Sequence, residues 1–213
     1  GTVNFIFQPA EENLGGAQKM IEDGLFERFP VDAVYGLHNW PSLPAGDIAV
    51  NDGAMMASLD TFEIKVTGKG CHAAMPHMGV DPIVAASDLV LRLQTIVSRH
   101  VSPLESAVLS VTMFNSGEAI NVLPESATLQ GTVRCLNSQV RKQVEQLMTE
   151  YVASYDMSPG LQVSLTFNRG YPVTTNHPEN AAIIYEVAKG LCGQDKTHHN
   201  LQPSMASEDF AFM

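Results

Sequence analysis

The chain has 213 residues, 45% hydrophobic and 16% charged, which bounds it to one large or two small globular domains able to bury a core without staples. Its formal net charge of −11, with no basic cluster, argues against a nucleic-acid-binding surface and against docking on anionic lipid. Cys71, Cys135 and Cys192 are odd in number and scattered, which is not a disulfide framework and points to a reducing, cytoplasmic setting; no apolar run is long enough to span a bilayer.

Residues 2–7 read Thr-Val-Asn-Phe-Ile-Phe, short and rich in β-formers, so a buried strand is expected. A Pro-Ala-Glu-Glu turn ends it. Residues 15–23 read as a short helix closed by Gly24, and residues 32–37 as a second buried strand. Strand, helix, strand with apolar strands predicts a parallel α/β sheet. The pattern changes near Ser58. Residues 59–67 alternate, with Phe62, Ile64 and Val66 set against Glu63, Lys65 and Thr67, which predicts a half-exposed strand. Asp81 and Pro82 open a helix running to about Arg99, with good cap chemistry. Residues 107–114 and 126–134 read as strands. Residues 138–155 read as a helix with Val140, Val144, Leu147, Tyr151 and Tyr155 at helical spacing, and 161–168 as a last strand.

The middle segment is therefore β-α-β-β-α-β, the ferredoxin-like order. After Tyr171-Pro172 a helical pattern returns over 179–191. The expected fold class is α/β: a partial catalytic α/β domain, residues 1–57 and 171–213, interrupted by an inserted ferredoxin-like α+β module over 58–170. The sequence opens on Gly1 inside an apparent strand, so further strands are expected before residue 1 and after residue 213.

Glu11 and Glu12 follow the first expected strand directly, and strand C-termini in open α/β sheets are where ligand sites form. Neighbouring residues there point in different directions, so one carboxylate can hold a metal while the other takes a proton from water. A divalent metal brings the pKa of water toward neutrality, and a carboxylate base completes the deprotonation. Two glutamates in a turn are also what a solvated loop contains. His38, in Gly36-Leu37-His38-Asn39-Trp40, would face the same crevice, and imidazole with carboxylate suits zinc, manganese, cobalt or nickel.

The blocks Gln8-Pro9-Ala10-Glu11-Glu12, Gly36-Leu37-His38, Gly68-Lys69-Gly70-Cys71-His72-Ala73-Ala74-Met75-Pro76-His77, Asn121-Val122-Leu123-Pro124, Gly131-Thr132-Val133-Arg134 and Ser207-Glu208-Asp209-Phe210 occur in that order. The ordered set resembles the peptidase M20 family, in the amidohydrolase branch of hippurate hydrolases, N-acyl-amino-acid deacylases and auxin-conjugate hydrolases. The resemblance implies that Glu11 is the general base, that Glu12 and His38 are metal ligands, and that the metal is a pair of manganese, zinc, nickel or cobalt ions. It implies that His72, from the inserted module, reaches the active site of the other subunit of a homodimer and supports the oxyanion. Asn121 and Arg134 would grip the carboxylate or carbonyl of a small N-acyl amino acid, Arg being suited to bidentate carboxylate binding.

Three departures stand out. Family members carry Gly where this chain has Cys71, which would strain the turn if positive φ is needed there. Cys71 is not read as a nucleophile, because the chemistry uses water. The family's upstream Cys-Gly-His-Asp-x-His block and its last histidine are absent from these residues, and His198 and His199 are poor substitutes. A zinc site takes about three protein ligands, so these residues alone are expected to be inactive. The alternatives are a di- or aminopeptidase of the same family and a non-catalytic dimerisation fragment.

Overall fold

A computed structural model describes residues 1–12, 15–199 and 201–213. Two compact units are present, one of residues 1–58 with 171–213 and one of residues 59–170. In chain order the elements are α1 (Gly16–Glu22), α2 (Leu25–Arg28), β1 (Ile48–Val50), β2 (Gly53–Met56), β3 (Asp60–Thr67), β4 (Cys71–His72), α3 (Pro82–Thr95) and β5 (Ala107–Ser116). They continue with β6 (Val122–Leu123), β7 (Ser126–Cys135), α4 (Ser138–Ala153), β8 (Gln162–Arg169), β9 (Thr174–Asn176), α5 (Pro178–Cys192) and β10 (Thr197–His199).

The 59–170 unit is a four-stranded antiparallel sheet in the order β5-β7-β3-β8. The period-2 pattern of β3 has the expected phase: Phe62, Ile64 and Val66 are buried, and Thr61 and Lys65 are exposed. The same phase on β7 buries Leu129 and Val133. These side chains join Leu89, Leu93 and Ile96 and, from α4, Val144, Met148 and Val152 in one core. Each such side chain, fully buried, contributes about 1.5–3 kcal/mol. The Asp81 carboxylate caps α3, accepting from the amides of Ile83 at 2.8 Å and Val84 at 3.3 Å, with Pro82 in the first turn. The helix does not stay α to Arg99. Residues 96–100 form a π-turn in which the Val101 amide reaches the Ile96 carbonyl at 3.2 Å. On α4 the buried stripe is Val140, Val144, Met148 and Val152, four-residue steps that displace Leu147 and Tyr151 to its margin.

A buried ion pair ties this unit's first and last strands. Arg141 Nε donates to Asp60 Oδ2 at 2.8 Å, and an Arg141 terminal nitrogen reaches the Gly170 carbonyl at 3.2 Å. The Gly170 amide closes the set on Asp60 Oδ1 at 3.1 Å. Asp60 has no exposed surface, so its charge depends on that guanidinium.

The other unit departs from expectation. Neither residues 2–7 nor residues 32–37 belong to a strand. Val3, Phe5 and Phe7 are 76%, 83% and 85% exposed, and Leu37 is 93% exposed. A strand exists only where a neighbouring backbone takes up its hydrogen bonds, and no described segment of this chain lies in register with either run. The apolar side chains of the first run instead border a groove of about 310 Å³ lined by Phe5, Phe7, Met20, Phe26 and Phe29 among others. Parallel pairing does occur, between β1 and β10, and β2 pairs antiparallel with β9. Beyond β2 the Ala57 amide bonds the carbonyls of Ser204 and Ala206 at 3.0 and 2.8 Å, which draws residues 204–209 into this unit. Among the described residues no helix is long and apolar enough to cross a membrane.

Candidate functional site

In the first unit the site is built on the turn after residue 7. Ala10 has φ +52°, the one non-glycine residue at positive φ among those described. For an alanine the left-handed region costs about 1–2 kcal/mol, so other contacts must hold the turn. Two sets do. The Tyr171 hydroxyl donates to the Glu11 carbonyl and accepts from the Gly15 amide at 3.1 Å. The fully buried Asp209 carboxylate accepts from the Ala17 amide at 2.7 Å and from the Gln8 side-chain amide, which also donates to Glu208 at 3.2 Å. Gly16 is needed where α1 begins: a Cβ there would lie 1.7 Å from the Pro9 carbonyl oxygen.

The result gathers Glu11 with Glu208 and Asp209, one carboxylate oxygen from each lying within 4.8 Å of the others. Burial, then the charges of Glu208 and Asp209, raise the Glu11 pKa above its ordinary 4.5, against a backbone hydrogen bond from Asp209. His38 Nε2 stands 3.7 Å from Glu208, and its ring meets Trp40 edge-on. Glu12 is exposed beside Glu11 and is outside the acidic group. His198, on β10, pairs with Asp47 at 2.6 Å.

The protonation of His38 follows from its partner. Its Nδ1 lies 2.7 Å from the Asn39 carbonyl, which can only accept, so Nδ1 carries a proton and Nε2 is the nitrogen turned toward Glu208. That is the arrangement of a metal-ligating histidine, whose second nitrogen is oriented by a backbone carbonyl. Imidazole with carboxylate suits a divalent transition metal, and Glu208 is the carboxylate that His38 faces. Each Asp209 oxygen accepts one hydrogen bond, from Gln8 or from Ala17, and keeps a second lone pair, so this carboxylate could join Glu11 and Glu208 around an ion.

In the second unit, β4 and β6 form a two-residue ladder, Cys71 opposite Leu123 and His72 opposite Val122, extended by the Ala73 amide donating to the Asn121 carbonyl at 3.0 Å. His72 and Asn121 are thus brought together and exposed. The His72 ring uses Nδ1 in the opposite sense to His38. Its Nδ1 accepts from the Ala74 amide at 3.1 Å, so the neutral ring carries its proton on Nε2 as an available donor. Arg134 stands apart on β7, on the sheet face away from the core and opposite Val108. The strain expected at Cys71 is absent: the residue is regular strand without positive φ. Its thiol is half-buried, donates to the Met75 carbonyl at 3.4 Å and occupies space that a Cβ on Gly79 would contest at 2.6 Å. Burial, then Asp60, pushes the Cys135 thiol up to about 12, which leaves it inert.

Sequence reasoning missed Gln8 as a bridge, Asp209 as the buried anchor and Tyr171 as the second holder of the turn. Gln8 and Asp209 are 201 positions apart. The Ser-Glu-Asp-Phe block was visible, but nothing in one sequence says which turn it packs against.

The first unit thus offers clustered carboxylates with an imidazole beside them, and the second unit, by itself, an exposed imidazole N–H. The chain matches the model for Peptidase family M20/M25/M40 over residues 1–213 and belongs to that family. It is 44% identical over 212 residues to a hippurate hydrolase of Campylobacter jejuni, covering 100% of this chain and 55% of that protein. It is 41% identical to an N-acetyl-L-cysteine deacetylase of Bacillus subtilis, covering 100% of this chain and 50% of that one. The crystal structure of the Bacillus subtilis YXEP protein, described as a dinuclear metal binding peptidase from the M20 family, superposes with a TM-score of 0.74 at 33% identity, covering 97% of this chain and 51% of that one. The chain thus spans about half the length of the curated relatives it matches.

Proposed function

We propose that the protein is a metal-dependent amidohydrolase that cleaves a small N-acyl amino acid to the amino acid and a carboxylic acid. The observation that carries this reading is the Glu11 carboxylate, held on a strained turn with its pKa raised and gathered with Glu208, which His38 Nε2 faces at 3.7 Å. Glu12 and His38 would hold the metal, with the remaining ligands supplied by protein outside these residues. The bound ion supplies Lewis-acid activation of water and of the amide carbonyl. Glu11 takes the proton from the attacking water and delivers it to the leaving nitrogen; a raised pKa makes that carboxylate a stronger base. His72 donates from Nε2 to the developing oxyanion. Asn121 and Arg134 bind the substrate's carboxylate.

In this reading residues 58–170 are an inserted lid: the strand order β5-β7-β3-β8 and the helices α3 and α4 suit a ferredoxin-like module. The lid also pairs the subunits of a homodimer, and His72 acts on the partner's site. Three free cysteines suit a cytoplasmic protein.

The test is hydrolysis by the complete, metal-loaded protein of N-benzoylglycine and N-acetylcysteine beside a panel of dipeptides. Glu11→Gln should lower kcat by about 10²–10⁴-fold with metal content unchanged. A near-normal rate refutes the base; a preference for dipeptides moves the protein to the peptidase side of the family.

A further inference from the structure

Tyr171 plays no part in the chemistry above, yet its side chain is buried against the turn that presents the base. The ring fits there: it meets Phe212 edge-on at 6.0 Å, and a Cβ on Gly15 would come within 3.3 Å of it. The hydroxyl does something packing does not require. It donates a hydrogen bond to the Glu11 carbonyl and accepts one from the Gly15 amide, so a single oxygen joins Glu11 to Gly15. Burial keeps that phenol protonated, raising its pKa above the usual 10. The donor to Glu11 therefore persists at any working pH.

We propose that Tyr171 is a positioning residue for the base: its hydroxyl holds the Glu11 backbone in the left-handed turn that aims the Glu11 carboxylate. Ala10 at φ +52° would relax by rotating toward negative φ, carrying Glu11 with it. The hydrogen bond to the Glu11 carbonyl opposes that rotation from one side. Asp209, through Gln8 and the Ala17 amide, fixes the chain on either side of the turn but does not touch the Glu11 backbone carbonyl. The catalytic consequence rests on the reading of Glu11 as general base; the structural consequence does not.

The test is Tyr171→Phe in the complete metal-loaded protein, which keeps the ring and deletes only the oxygen. A base misplaced by part of an ångström loses rate without losing substrate affinity, so kcat should fall about 10–100-fold while KM stays within about two-fold. Metal content should match the wild type. Hydrogen exchange at the Gly15 amide, freed of its acceptor, should accelerate by about ten-fold or more, while exchange in the β3 and β7 strands stays unchanged. Phe212→Leu serves as the packing control: it should lower the melting temperature and leave kcat within about two-fold. Unchanged kcat in Tyr171→Phe, or an equal loss of kcat in Phe212→Leu, overturns the positioning role. If the wild-type protein hydrolyses no N-acyl amino acid, the functional reading fails. Faster Gly15 exchange in Tyr171→Phe would then still support the hydroxyl bracket, and unchanged exchange would overturn it.

Discussion

The two units hold themselves together by different means. Residues 59–170 close a continuous apolar core, with Ile64, Leu89, Leu93, Leu129 and Val133 at zero exposure, under helices whose caps the sequence writes out. Residues 1–58 with 171–213 bury few large side chains, leave Phe5, Phe7 and Leu37 open, and rest on polar ties through Tyr171, Gln8 and Asp209. The difference separates stability from chemistry. The unit that folds on hydrophobic burial presents His72 and Asn121 exposed on a short two-strand ladder. In the unit that gathers carboxylates around Glu11, like charges brought together repel and are held by hydrogen bonds from Gln8 and Ala17.

Three measurements on the 213-residue chain probe that contrast. The largest effect should come from Arg141→Met, which strands the buried Asp60 carboxylate and should destabilise by about 3–5 kcal/mol in urea unfolding. A loss under about 1 kcal/mol would mean that Asp60 finds another partner and that the ion pair is not what ties the unit's ends. Next in size is a paired comparison. Leu129→Ala should cost about 2–5 kcal/mol, as a cavity in a closed core does. Phe5→Ala should stay within about 0.5 kcal/mol, since that ring is already exposed. Equal losses would erase the distinction between the units.

The smallest effect is electrostatic and belongs to the polar unit. In metal-free protein the Glu11 carboxyl resonance should titrate above 4.5, and Glu208→Gln should move its midpoint down by removing a like charge. Because the folded pKa is the raised one, Glu11's contribution to stability is complete below its ordinary pKa and is lost as pH rises through the folded value. Glu11→Gln should therefore flatten the stability curve just above pH 4.5. A midpoint indifferent to Glu208 would leave burial and Asp209 as the causes.

Much of the 59–170 unit was legible because its signals are local. Alternation over Phe62, Ile64 and Val66 gives a strand with one buried face, and Asp81-Pro82 starts a helix whatever surrounds it. The expectations for residues 2–7 and 32–37 failed for the complementary reason. An apolar run records a preference for burial, but a strand needs a neighbour, and no described part of this chain provides one. The very short strands β1, β2, β9 and β10 carry too few residues to show a period at all.

The ordered motifs determined the family and pointed to Glu11, Glu12, His38, His72, Asn121 and Arg134 without coordinates. The hydrogen bonds of the two histidine rings were decided by local backbone geometry, through the Asn39 carbonyl one residue along and the Ala74 amide two residues along. The bracket that aims Glu11 was decided only by tertiary structure, since Tyr171 lies 160 positions from the carbonyl it holds. Residue type sets what a side chain can do. Where the partner that selects one of those possibilities is set by packing between segments distant in the chain, a single sequence carries no record of that distance.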